Sequence, residues 1–218
     1  MIDLHTHSLF SDGELVPSEL VRRMEVIGYE AVAITDHADS SNIDFIVPRL
    51  VSVSLDLNKI QRIKVIPGVE LTHVPPSLID TVSKRARELG ASLVVVHGES
   101  IVEPVAPGSN RAGIEAGADI LAHPGLITRE DALLAAERGV FLEISGRSGH
   151  SFTNGHVVKV ATDASARLIL NSDAHAPGDF MTKEFASKVV QGAGLPAGSL
   201  EDLLANSRLL LRRIGYPL

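Results

Sequence analysis

Seven short aliphatic runs pace this sequence, beginning near residues 2, 31, 64, 92, 120, 140 and 168, and an amphipathic stretch follows each one. Short apolar runs bounded by turn signals read as buried strands, and their alternation with helical stretches reads as β/α units sharing a parallel sheet. Pro17-Ser18-Glu19-Leu20-Val21 opens a helix that Gly28 stops, since Pro suits a first helical turn and Gly a C-terminal cap. Ala31–Ile34 is the second strand. Asn42–Ile60 is mostly helical, with Pro48 and the β-branched run Val51-Ser52-Val53 disturbing its middle. Lys64–Val69 is the third strand, interrupted by Pro67, and Pro76–Leu89 is a helix closed by Gly90. Ser92–Val96 is the clearest strand of all. Beyond a loop rich in Pro and Gly (Glu99–Ser109), the pattern predicts a helix over Asn110–Ala116 and a strand over Ile120–Ala122. A helix over Arg129–Arg138 and strands over Val140–Ile144 and Leu168–Asn171 follow, the two strands separated by a helix over Thr153–Ala166. Helices over Asp179–Gln191 and Ser199–Arg213 complete the pattern. No sequence similarity accompanies the period, so it is architectural alternation and not a tandem repeat.

The composition agrees with buried parallel strands. There is no Trp, and only 2 Tyr and 6 Phe, so the core must be built from Val, Ile, Leu and Ala. With no Cys, disulfides, thiolate metal sites and cysteine nucleophiles are excluded. No apolar run approaches the roughly 18 residues that span a bilayer, and Met1 leads at once into a strand pattern. A cytoplasmic protein with no membrane partner is the expectation. The net charge is −7 and no Lys/Arg run or basic aromatic stripe is present, so an extended nucleic-acid surface is not expected.

The polar residues then choose between a barrel and an open sheet. The first run leads into His5-Thr6-His7, the second into Thr35-Asp36-His37 and the third into Gly68-Val69-Glu70. The fourth ends at His97, the fifth at His123 and the seventh in Ser172-Asp173-Ala174-His175. Six of seven strands therefore deliver a His, Asp or Glu at the C-terminal edge. Function collects there from many strands only when the strands converge on one axis, as in a barrel; an open sheet uses the loops at its switch point. Alternate residues share a strand face, so His5 and His7, about 7 Å apart along the chain, converge on one side, as do Asp173 and His175. Neutral imidazole and carboxylate are ligands for Zn, Mn or Fe. Glu70 after an apolar strand is costly to bury unless paired or metal-bound. Asp3 is expected to hold a ligand His by its second nitrogen, and Asp36 to act either behind the ligands or as a helix cap. His156 is expected to face solvent. His73 and His150 fall in loops without a settled role, and Glu143 is left outside the metal set because its direction depends on register.

Taken together, Asp3-Leu4-His5-Thr6-His7, Ser11-Asp12-Gly13, Thr35-Asp36-His37, Gly68-Val69-Glu70, His97, Ala122-His123-Pro124 and Ser172-Asp173-Ala174-His175 resemble the motifs of the polymerase and histidinol phosphatase (PHP) superfamily. That family includes histidinol-phosphate phosphatases, nucleotide phosphoesterases and nuclease or proofreading domains of some bacterial polymerases. The resemblance implies a distorted (β/α)7 TIM-like barrel, of the α/β class with parallel strands and outer helices, filling residues 1–218 as one domain. It also implies two to three divalent transition metal ions (Zn, Mn or Fe). One ion takes His5, His7, Glu70 and Asp173, a second shares Glu70 and adds His97 and His123, and a third takes Asp12, His37 and His175. Many members carry His where this chain has Asp12, and the harder oxygen ligand favours Mn or Fe there. The implied activity is hydrolysis of a small phosphorylated substrate, a phosphomonoester such as histidinol phosphate or a nucleotide, by a hydroxide bridging the two ions joined by Glu70. Arg147, in the Gly-rich loop Ser145–His150, is the expected phosphate clamp, with Arg111 a weaker candidate. No general acid is identified.

Three other readings compete. A nuclease keeps the chemistry and changes the substrate. An amidohydrolase acting on C–N bonds shares the His-x-His opening, but usually bridges two ions with a Lys where this chain ends its fourth strand in His97. A scaffold subunit would keep the barrel without turnover, which the complete ligand set disfavours.

Overall fold

A computed structural model describes residues 1–218. Seven parallel strands form a nearly closed barrel with eight helices around it. The strands comprise eight segments, in chain order β1 (Ile2–Asp3), β2 (Ala31–Ile34), β3 (His37–Ala38), β4 (Lys64–Leu71), β5 (Leu93–His97), β6 (Ile120–Ala122), β7 (Phe141–Ser145) and β8 (Leu168–Asn171). Neighbours run β1-β2-β4-β5-β6-β7-β8, all in parallel, and the two-residue β3 prolongs the course of β2 along β4. Closure between the last and first strands is thin. It includes a parallel bridge between Thr6 and Ala174, where the His7 N–H donates to the Ala174 carbonyl (2.9 Å), and the Leu4 N–H donating to the Asn171 side chain (2.8 Å).

The helices are α1 (Pro17–Ile27), α2 (Ile43–Ile60), α3 (Pro76–Glu88), α4 (Ser109–Glu115), α5 (Arg129–Arg138), α6 (Asn154–Ala164), α7 (Lys183–Gly192) and α8 (Ser199–Arg213). Seven of them pack on the strands, and α7 packs chiefly on α8. In α2 the buried set is Ile43, Ile46, Val47, Leu50, Ser54 and Leu57, the i, i+3, i+4, i+7 pattern of one helical face. Pro48 lies on the exposed side, where water can solvate the carbonyl that its missing N–H leaves free, so the helix runs through it. The strands themselves are buried on both faces: every residue of β2 and β5 is inaccessible or nearly so. No helix is long and apolar enough to cross a membrane.

Several boundaries shift by a residue or two from expectation, and three of the departures bear on the site. β4 continues through Glu70 to Leu71, because His37 and Ala38 supply a further pairing partner. The helix expected from Asp179 begins at Lys183. Asp179 closes a short 3-10 turn, its carboxylate accepting the His175 and Ala176 N–H groups, while Thr182 caps α7 by accepting the Phe185 N–H. The β7 strand starts one residue late and holds Glu143 on its inward face.

Candidate metal centre

The C-terminal ends of the strands surround a cleft of about 250 Å3 lined by Asp12, His37, Thr72, His97, Glu103, Arg147, His150, Asp173 and His175, with no apolar side chain among them. His5, His7, Glu70 and His123 form the floor beneath it, all buried. Glu70 lies at the centre. Its Oε1 is 3.3 Å from His5 Nε2 and 3.7 Å from His123 Nε2, and its Oε2 is 2.7 Å from His37 Nδ1. Asp173 completes the floor, with Oδ1 3.2 Å from His7 Nε2 and Oδ2 3.7 Å from His123 Nε2. Asp12, on the loop after β1, sets Oδ1 3.1 Å from His175 Nε2 and 3.3 Å from His37 Nε2. All nine residues that the sequence nominates as ligands therefore meet in one place. Their donor atoms overlap more than three separate sets would: those of His7 lie within 4.8 Å of Asp12, His37 and His175, and those of His5 and His123 within 4.8 Å of Asp173.

The backbone is bent to deliver two of these side chains. His123 and Asp173 have φ of 26° and 54°, the left-handed region that non-glycine residues rarely enter. Such a conformation costs on the order of 1–3 kcal/mol and persists where the surroundings enforce it. Gly98 lets the β5 and β6 ends approach closely. A Cβ there would sit 2.3 Å from the Ala122 carbonyl oxygen and 2.7 Å from the Pro124 Cα.

A layer of carboxylates behind the cleft holds it in shape. Glu143 Oε2 accepts from His5 Nδ1 at 2.8 Å, fixing the ring so that Nε2 faces Glu70. The task expected of Asp3 thus falls to Glu143. Asp3 instead accepts the backbone N–H groups of His5 and Ser172, tying the first strand segment to the last. Asp36 accepts the N–H and hydroxyl of Ser8 and of Ser11, which sets the loop carrying Asp12; it is not a helix cap. Glu103, from the loop after β5, reaches His97 (3.1 Å), His73 (3.2 Å) and His150 (3.4 Å). The sequence offers no periodic signal for Glu103 or His150, because both sit on irregular loops. For Glu143 the alternation puts Phe141, Glu143 and Ser145 on one strand face, but only the register of β7 decides that this face points inward.

Arg147 lines the cleft, donating to the Asp173 carbonyl (3.2 Å) and contacting His175 Nδ1. Arg111 does not reach it, and pairs with Asp131 at 2.6 Å. His156, expected in solvent, is half-buried with Nε2 donating to the Ile127 carbonyl (2.9 Å). A larger, open groove at the other end of the barrel, by Arg22, Tyr29 and Arg62, gathers no such donors.

Burial and charge oppose each other throughout. Burial pushes Glu70 and Asp173 up, but the surrounding imidazoles outweigh it and hold both carboxyls well below their usual range. Burial pushes His7 down to about 3, aided by His37 and His5. Burial likewise depresses His123. Burial would also depress His5, yet Glu143, Glu70 and Asp173 hold it well above its usual value. Carboxylates alternate here with imidazoles that are held neutral (His7, His123) or that hold a proton a metal ion would displace (His5, His37, His97), which is a cation-binding set. Several donors also lack partners: His5 Nε2, His7 Nδ1 and Nε2, His123 Nδ1 and Glu70 Oε1 are buried without a hydrogen bond, the His7–Asp173 approach lacking hydrogen-bond geometry. Unpaired buried polar atoms cost about 1–3 kcal/mol each, and a divalent cation among lone pairs removes that cost. The residues fit transition metal ions.

Comparison with known proteins places this geometry in context. A family profile described as "PHP domain" matches residues 3–205. An uncharacterized protein of Methanocaldococcus jannaschii is 48% identical over 215 residues, covering 97% of this chain and 99% of its own length. A probable phosphatase of Thermoanaerobacter sp. is 26% identical over 226 residues, covering 95% and 90%. Among solved structures, histidinol phosphate phosphatase from Lactococcus lactis, complexed with Zn, L-histidinol and phosphate, superposes with a TM-score of 0.62 at 16% identity, covering 89% of this chain and 94% of that one.

Proposed function

Because the chain belongs to the PHP domain family, we propose that it is a metal-dependent phosphoesterase that hydrolyses a small phosphorylated metabolite. The observation that carries this reading is the convergence of nine imidazole and carboxylate side chains, from every strand end except that of β7, on one polar cleft that also holds Arg147. His5, His7, Glu70 and Asp173 would hold one ion, Glu70 with His97 and His123 a second, and Asp12, His37 and His175 a third. Divalent ions there supply Lewis acidity, which activates water at neutral pH and neutralises phosphoryl charge.

The other residues bind, orient and position. The guanidinium of Arg147 offers parallel donors suited to two phosphoryl oxygens. Glu143 keeps His5 in one ring orientation, and Asp36 keeps Asp12 over the cleft. The small, wholly polar lining suits a compact charged substrate better than a polymer. No lysine lines it, which weighs against a lysine-bridged C–N hydrolase. The likeness to a probable phosphatase of Thermoanaerobacter and to the histidinol phosphate phosphatase of Lactococcus lactis supports the same reading.

The test loads the protein with Mn, Zn and Fe in turn and assays p-nitrophenyl phosphate and a panel of phosphorylated metabolites. Hydrolysis well above that of a His5→Ala/His7→Ala control is expected. Rates equal to that control would overturn the proposal.

A further inference from the structure

Two loops bring extra donors to the mouth of the cleft that the nine nominated ligands do not include. His150 opens the 3-10 turn His150–Thr153 after β7 and is buried. Its Nδ1 is 2.7 Å from Ser100 Oγ, and its ring stacks on His123 with centroids 4.0 Å apart and planes 14° from parallel. The remaining nitrogen, Nε2, faces inward, 3.4 Å from Glu103 Oε1 and 3.9 Å from Asp173 Oδ2. One nitrogen tied by a hydrogen bond and the other aimed at a group of lone pairs is how proteins orient a ligating imidazole. His5 uses Glu143 and His97 uses the Gly98 carbonyl in the same manner. The donor atoms of His97, His123 and His150 all lie within 4.8 Å of one another.

Glu103 arrives from the other loop, with Oε2 3.1 Å from His97 Nε2. His73, at the exposed rim, steadies the same oxygen from outside at 3.2 Å. A glutamate carboxylate is ionised at neutral pH and is an anionic oxygen donor there.

We propose that His150 and Glu103 are ligands of the ion position formed by Glu70, His97 and His123, so that protein donors from five segments enclose it. This rests on the metal-dependent reading above. Ion sites filled by protein donors are structural in character, whereas catalytic ions keep an open place for water or substrate. The enclosed position is then the one that exchanges slowest. The donor set of three imidazoles and two carboxylates favours Zn or Fe over Mg there. Binding at this position also fixes the loops bearing Ser100–Glu103 and Gly149–His150, which couples the shape of the mouth to metal content.

The experiment measures metal content by elemental analysis during timed dialysis of the Zn-loaded protein against a chelator. It compares the unmodified chain with His150→Ala, Glu103→Gln and a control, His156→Ala, whose ring bonds to the Ile127 carbonyl away from the cleft. Circular dichroism verifies folding; Glu103 is partly exposed, so its variant carries little folding risk. The unmodified protein and the control are expected to keep one ion long after the others leave. His150→Ala and Glu103→Gln are expected to release it about tenfold faster or more, the usual scale for a lost orienting or ligating group. Release from both variants at the unmodified rate overturns the assignment while leaving the phosphoesterase reading intact. An unmodified chain that takes up no ion overturns both.

Discussion

His5 Nδ1 lies 2.8 Å from Glu143 Oε2, and both side chains are wholly buried. The carboxylate fixes which nitrogen of His5 faces Glu70, so the ligand is set before any ion arrives. Burial drives the Glu143 carboxyl up to about 7, with the charge of His5 working against it. Glu143→Gln preserves shape but removes the charge that makes His5 a strong donor. Metal affinity measured by competition with a chromophoric chelator should fall by about 10–100-fold, with little change in the far-ultraviolet circular dichroism.

Arg147 should matter to substrate and Arg111 should not. Arg147→Ala is expected to lower kcat/KM by about 10–100-fold, on the scale of a lost charged hydrogen bond of roughly 1.5–3 kcal/mol. Arg147→Lys should recover only part, since a point charge cannot supply the paired donors. Arg111, occupied by Asp131, should tolerate Ala with kcat/KM within about a factor of two. Steady-state kinetics, with metal content verified for each variant, checks all three.

Asp3 gives the metal-free protein a pH signature. Burial raises its carboxyl from 3.8 to about 6, against hydrogen bonds from Ser172 and His5. The folded state holds this proton more tightly than the unfolded state does. The contribution of Asp3 to stability is therefore greatest below about pH 4 and is lost as pH rises through about 6. The gap amounts to roughly 3 kcal/mol. Asp3→Asn, which cannot ionise, should gain about that much relative to the unmodified chain between pH 4 and pH 7. Paired urea titrations at the two pH values read the difference, and titrating groups not coupled to Asp3 cancel in the comparison.

Gly98 tests the close approach of β5 and β6. Gly98→Ala forces a methyl group against the Ala122 carbonyl and Pro124, and should destabilise the protein by about 1–3 kcal/mol, the usual cost of overpacking. A shift in the urea midpoint measures it.

Much of this architecture was legible from the sequence because its two main signals are local. Aliphatic runs such as Leu93–Val96 between turn signals read as buried strands, and the His, Asp or Glu at the end of six of the seven is visible without knowing what it faces. The nine nominated residues meet because parallel strands of a barrel must aim their C-terminal ends at one axis. What stayed hidden depends on tertiary placement. Asp3 and Glu143 are both inward carboxylates on strands, and only the register of β7 shows that Glu143 reaches the His5 ring while Asp3 holds backbone. Glu103 and His150 lie on loops with no period to betray their direction. Pro48 looked disruptive in α2 and is harmless, because its side of the helix faces solvent.

Anomalous scattering at the metal absorption edges, from crystals of the metal-loaded protein grown with phosphate, tests the central claim most directly. The account predicts peaks within coordination distance of His5, His7, Glu70 and Asp173, of Glu70, His97 and His123, and of Asp12, His37 and His175, with phosphate against Arg147. Crystals of metal-loaded protein without a peak among these nine side chains would contradict it.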